Sequence, residues 1–150
     1  MWAHAPRVVR LLMVASFVAF ASSMMPAPFS TAARGATDAE GYASGVLLLL
    51  FGWIGVIDGT FEWLANPLLG LAWLLTLLGR HRDGAGFGAC ALGLALSFAW
   101  RDRVMVDEAG HRDFIASLNA GYWLWVLSML LTVVAALVAW RRARQAQAAP

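Results

Sequence analysis

Residues 46–79 read VLLLLFGWIGVIDGTFEWLANPLLGLAWLLTLLG, two apolar runs joined by a polar hinge that carries Asp58, Glu62, Asn66 and Pro67. How often this stretch crosses a bilayer decides which side every other loop faces. The first run, residues 46–57, is 12 residues long and contains Gly52 and Gly55. A span needs roughly 20 apolar residues, so this length predicts a re-entrant or interfacial helix over about 45–57 instead. The second run, residues 61–79, is 19 residues long. It is long enough to span, and Pro67 is tolerated near its start, where the missing N–H removes no helical bond. Asn66 is positioned to cap that helix if it starts there.

Composition explains why a bilayer is the frame. The chain is 61% hydrophobic and 13% charged, with eight Trp and a mean hydropathy of +0.67. A soluble domain is about half apolar and about a quarter charged. So little charge cannot cover a water-facing surface, and the length suits one domain, which predicts a single integral membrane domain. The net charge of +2 is carried on the positive side by Arg alone, since Lys is absent. Those Arg sit in small groups at the ends of apolar runs and not on one face, so nucleic acid is not an expected partner. The single Cys90 lies in an apolar stretch, can form no internal disulfide and is silent on redox compartment.

Upstream of the organising stretch, residues 8–25 form an apolar run of 18 whose one charge is Arg10, with Arg7 just before it and Pro26 closing it. The run is just long enough to span. A cleaved signal peptide fits the same features, with Ala19-Phe20-Ala21 as a small-x-small site. The apolar character continuing through Met24 and Met25 favours a retained anchor. Residues 26–43 are rich in Pro, Ala, Ser, Thr and Gly, have no periodic apolar face and read as a loop. Downstream, residues 80–84 are a polar turn, and residues 85–100 are a third span. From the last residue of that turn into the span, Gly84/Gly88, Ala89/Gly93 and Gly93/Ser97 each repeat at a spacing of four. Small residues at that spacing share a helix face and let backbones approach closely. Residues 101–118 are the most charged segment. Residues 119–140 are a full-length span ending at Arg141, Arg142 and Arg144, and residues 145–150 read as a disordered tail.

Charge decides the count of crossings, because Lys and Arg accumulate on the cytoplasmic side. Five spans would put five Arg inside and six outside, with Arg141, Arg142 and Arg144 on the wrong side. If residues 45–57 do not cross, seven Arg lie inside and four outside, and eight of the nine acidic residues lie outside. The same arrangement brings Trp63, Trp100, Tyr122, Trp123 and Trp125 to the outer interface, which aromatic residues favour. The expected fold is therefore all-α, with four transmembrane helices, one short re-entrant or interfacial helix and both termini cytoplasmic.

Two groups of residues are candidates for chemistry. At the hinge, Asp58 and Glu62 are four apart and share a face if the segment is helical, with Trp63, Asn66 and Pro67 beside them. Ionisable groups at membrane depth point to function. At the interface, where the four-span count puts them, two solvated carboxylates need no such explanation, and that plainer reading is preferred. In the outer loop, Asp102, Asp107, Glu108, His111 and Asp113 offer carboxylates and one imidazole. No EF-hand order and no His-x-x-x-His accompanies them, so no metal is expected. Ser22, Ser23, Ser97, Ser128, Thr76 and Thr132 can bond their own helix carbonyls. No nucleophile–base pair, phosphate-cradling loop or haem motif is present, so neither an enzymatic activity nor a cofactor is expected. The face Gly84, Gly88, Ala89, Gly93 and Ser97 signals helix packing, within the bundle first and between copies second.

The pieces Gly52-Trp53 and Trp63-Leu64-Ala65-Asn66-Pro67, together with Gly121-Tyr122-Trp123-Leu124-Trp125-Val126-Leu127-Ser128, resemble a group of small bacterial multi-pass inner-membrane proteins. That group pairs a GW…WLANP stretch with a late GY-aromatic-LW…S span. The resemblance implies a bacterial inner-membrane setting and brings no activity, cofactor or site residue. The expected function is an accessory or scaffold role through helix packing and outer loops, with the lipid bilayer, a second copy or another membrane protein as partner. The alternative is a small-molecule or ion-handling protein with its site at the Asp58/Glu62 hinge, since broken apolar segments beside carboxylates build such sites. A membrane enzyme resting on His111 and its neighbouring carboxylates ranks third.

Overall fold

The structure, a computed structural model, describes residues 6–32, 44–57, 59–105 and 111–148. Along the chain run α1 (Arg7–Ser23), β1 (Phe29–Thr31), α2 (Gly45–Phe51) and α3 (Ile54–Ile57). A 3₁₀ turn (Phe61–Leu64) then leads into α4 (Ala65–Leu77), followed by α5 (His81–Ser97) and a second 3₁₀ turn (Phe98–Trp100). The chain closes with β2 (Arg103–Met105), β3 (Arg112–Leu118) and α6 (Ala120–Ala148).

The four longest helices pack as an up-down bundle, and side-chain partners fix their directions. Ser16 meets Ser128 and Thr132, while Val9 and Met13 pack against Ala135 and Ala139, so α1 and α6 are antiparallel. Gly84 lies against Ala72 and Thr76, which makes α4 and α5 antiparallel. Tyr122 Oη donates to Ala95 O at 3.0 Å and Gly88 faces Val133, so α5 and α6 are antiparallel too. This order gathers Arg7, Arg10, Arg80, Arg82, Arg141, Arg142 and Arg144 at one end, where Asp83 is the one acidic residue among the described residues and is paired with Arg80. The α4–α5 turn there is a Schellman motif. Gly79 takes φ +84°, Arg80 N donates to Leu75 O and Gly79 N to Thr76 O.

A polar knot sits in the middle of the bundle. Trp73 Nε1 lies 3.0 Å from Ser16 Oγ and 2.9 Å from Thr132 Oγ1, and Ser16 Oγ lies 2.8 Å from Thr132 Oγ1 and donates to Ser128 O at 2.7 Å. Ser16, Ser128 and Thr132 are fully buried. Of the hydroxyls expected to bond their own helix, Ser23, Thr76, Ser97, Ser128 and Thr132 do so. Thr132 also accepts from another helix, which no local pattern announces.

The opposite end is capped by a sheet that the all-α expectation lacks. Its order is β1-β3-β2, both pairs antiparallel, with Phe29 opposite Leu118 and Arg103 opposite Phe114. Segments read as loops pair because Asn119 ties them to the bundle: its N–H donates to Pro28 O and its side-chain amide to Ser30 Oγ. A Cβ on Gly121 would stand 2.6 Å from Pro26 O, so only glycine lets residues 26–28 cross α6 this closely.

Among the described residues two helical stretches, His81–Trp100 and Ala120–Ala148, are long and apolar enough to cross a membrane by length and composition. The four full-length spans expected are therefore not four clear spans. α1 stops at 17 residues when the chain turns at Met24, and Phe61–Leu77 stops at 17 where Gly79 reverses it. The other boundaries move as well: the span expected over 85–100 starts at His81, the segment over 45–57 divides into α2 and α3, and the tail expected to be disordered from 145 stays helical through Ala148.

The small-residue face of α5 divides in two. Gly84 and Gly88 are buried with Ala91 and Ala95 against α4 and α6, whereas Ala89, Gly93 and Ser97 are exposed. A Cβ on Gly88 would lie 3.1 Å from Val133 Cγ2, and one on Gly93 would meet nothing within 4 Å. Gly88→Leu is therefore expected to lower the unfolding free energy by about 1–3 kcal/mol through overpacking. Gly93→Leu should leave it within about 0.5 kcal/mol, as surface changes do. Equilibrium unfolding of the two purified variants checks the contrast.

Candidate functional site

At the capped end, the two polar-aromatic segments of the sequence meet around one partly open cavity of about 140 Å³. The 3₁₀ turn before α4 supplies Glu62 and Trp63, the first turn of α4 supplies Asn66, and the start of α6 supplies Gly121, Tyr122 and Trp125. α2 forms another wall with Gly45, Leu48, Leu49 and Gly52.

Each hinge side chain has a defined task. Glu62 is 7% exposed and its Oε1 accepts from Arg101, at 2.8 Å from Nε and 2.7 Å from Nη2. Both guanidinium nitrogens thus converge on one oxygen, and Oε2 has no hydrogen-bond partner among the described residues. Trp63 Nε1 donates to Leu49 O at 2.9 Å and pins α2 to the bundle. Gly52 permits that approach, since a Cβ there would come 2.5 Å from Trp63 Cδ1. Asn66 does not cap α4. Its Nδ2 donates to Trp63 O at 3.1 Å, and its Oδ1 accepts from Trp125 Nε1 at 2.8 Å, so one amide ties the turn, α4 and α6 together. Pro67 is exposed in the first turn of α4 and does not line the cavity.

The plainer reading, two solvated carboxylates at the hinge, fails for Glu62. An apolar segment carries it into the fold, and a partner 39 residues away neutralises it. Asp58 lies outside the described residues. In the outer loop, Asp107 and Glu108 also lie outside them. Asp102 contributes its carbonyl to Ile115 N, Asp113 Oδ1 accepts from Phe114 N, and His111 is exposed at the approach to β3. Among the described residues no three His, Cys, Asp or Glu side chains come together to hold a metal ion.

Sequence reasoning missed Arg101 as the partner of Glu62, although Arg101 directly follows Trp100, expected at the same outer interface as the hinge, and a buried carboxylate needs a counter-charge. It also read Tyr122 and Trp125 as interfacial anchors. Tyr122 is 1% exposed, and its ring packs with Phe98, Trp123 and Trp125. No protein-family model, curated protein or solved structure matches the chain.

Removing the guanidinium tests the pair. Arg101→Met leaves Glu62 buried without a donor, which for a fully buried pair costs about 3–5 kcal/mol. Arg101 itself is 29% exposed at the side chain, so a smaller loss, about 2 kcal/mol, is expected here. Chemical denaturation of the variant beside the wild type measures it.

Proposed function

We propose that this chain is a small multi-pass protein of the bacterial inner membrane that binds a small, largely apolar molecule at its hinge cavity. The observation carrying the proposal is the convergence of Glu62, Trp63, Asn66, Gly121, Tyr122 and Trp125, from two distant segments, on one cavity. Ligand sites are mostly apolar concavities with a few placed polar groups, and this one has that make-up.

The membrane setting and four crossings are supported by what the bundle exposes. Leu11, Val14 and Val18 on α1, Leu74 and Leu78 at α4, Phe87 on α5 and Leu127 and Leu130 on α6 all face outward. Apolar surface of that extent around a bundle suits lipid. α2 and α3, at seven and four residues, are far too short to cross and lie at the capped end. With the Arg-rich end cytoplasmic, both termini are cytoplasmic and the cavity opens toward the outer leaflet. A retained α1 is supported by its burial of Val9, Met13, Ser16 and Ala19. Reporter fusions after residue 81 are expected to read cytoplasmic; a periplasmic signal there would overturn the four crossings.

A second reading, an accessory or scaffold protein working by helix packing, is favoured by the outward half of the α5 small-residue face, Ala89, Gly93 and Ser97. The two readings part in one experiment. Iodobenzene quenches nearby indoles, and Trp63 and Trp125 line the cavity. Saturable quenching is expected in the wild type and its loss in Leu48→Trp, which fills the cavity. Equal, non-saturating quenching in both would remove the binding reading and leave the scaffold one.

A further inference from the structure

Resting on that binding reading, we infer that the cavity takes an uncharged molecule carrying one hydroxyl on an apolar body, with the hydroxyl donating to Glu62. Three observations combine. First, the lining is apolar and aromatic, with Leu48, Trp63, Phe98, Tyr122 and Trp125 around it. Second, its volume of about 140 Å³ is close to that of an engineered apolar cavity of roughly 150 Å³ that holds benzene, so the enclosed part of the ligand is about the size of one ring or a short chain.

The third observation sets the polar requirement. Glu62 lines the cavity, its side chain is nine-tenths buried, and Oε2 has no donor among the described residues. A buried acceptor left without a donor is costly, and native structures rarely leave one so. The carboxylate's charge is already met, because Arg101 Nε and Nη2 both lie on Oε1 at 2.8 and 2.7 Å. What Glu62 lacks is therefore a hydrogen-bond donor and not a counter-charge. An ammonium would supply a donor together with a second positive charge beside Arg101, in a lining with almost nothing to solvate it. A hydroxyl supplies the donor alone. A free alcohol and a hydroxyl-bearing lipid share this chemistry.

The test uses the full chain in phosphatidylcholine nanodiscs and reads ¹⁹F NMR titrations of 4-fluorobenzyl alcohol, 4-fluorotoluene and 4-fluorobenzylamine. Leu48→Trp serves as the reference for partition into lipid. The alcohol is expected to bind the wild type about tenfold more tightly than 4-fluorotoluene and more tightly than the amine. Glu62→Met, which keeps side-chain length without an acceptor, should erase the preference for the alcohol. Should that variant fail to fold, the three-probe order in the wild type still decides. Equal binding of alcohol and 4-fluorotoluene, both lost in Leu48→Trp, would overturn the hydroxyl inference and leave the cavity as a binding site. Tightest binding by the amine would overturn the neutral-donor argument. No difference between wild type and Leu48→Trp for any probe would remove both. Competition by 1-monoolein but not by hexanol would assign the hydroxyl to a lipid, and the reverse to a free alcohol.

Discussion

One indole N–H holds three helices in register. Trp73 Nε1 sits between Ser16 Oγ of α1 and Thr132 Oγ1 of α6, at 3.0 and 2.9 Å. Its ring is packed edge-on by Phe20 and tilted against Phe17. In so apolar a chain, sliding one helix past another exchanges one greasy contact for a similar one, and packing alone discriminates weakly. A half-buried donor shared by two fully buried acceptors on two other helices discriminates strongly, because any slip leaves those polar atoms unpaired where nothing replaces the partner. The register of α1, α4 and α6 follows from this knot, and so does the level at which the hinge meets the start of α6.

Much of the helical frame was legible because it depends on period and length. Apolar runs marked α1, α4 and α5 to within a few residues and α6 at its start, though α6 continues past the expected end at 140 to Ala148, and the shortness of residues 45–57 marked a segment that divides into α2 and α3. What escaped was decided by distant partners. β1 has three residues and β2 three, too few for any alternation to show. β3 reads exposed and half-buried in turn, but its charged surroundings concealed it. β1 pairs because Asn119 and Gly121 fold residues 26–31 across the start of α6. The same reason hid the Glu62–Arg101 pair, since no spacing rule links positions 39 apart.

The small-residue face shows where a spacing rule is ambiguous and not merely silent. The repeats at four form two series, Gly84/Gly88 and Ala89/Gly93/Ser97, and the second begins one residue after the first ends, about 100° round the helix. Gly84 and Gly88 therefore look inward with Ala91 and Ala95, while Ala89, Gly93 and Ser97 belong to the opposite side of the same helix. Sequence could say that α5 packs closely. It could not say that one half of its small residues serves the bundle and the other half is left outside.

The cavity follows from the way the capped end is built. α2 comes closest to the bundle at two glycines: a Cβ on Gly45 would lie 2.8 Å from Met24 Cα, and one on Gly52 would strike Trp63. Gly121 similarly admits residues 26–28. Where backbones touch through glycine, no side chain is available to fill the space beside the contact, and the nearby rings of Trp63, Tyr122 and Trp125 are fixed by their own hydrogen bonds. Rigid aromatics cannot reshape themselves to occupy glycine-sized gaps, whereas a Leu or Met could. Close backbone approach and pinned rings together thus leave a space with stiff walls. The Glu62–Arg101 pair sets its polarity, because joining through a single carboxylate oxygen neutralises the charge and leaves the other oxygen still an acceptor.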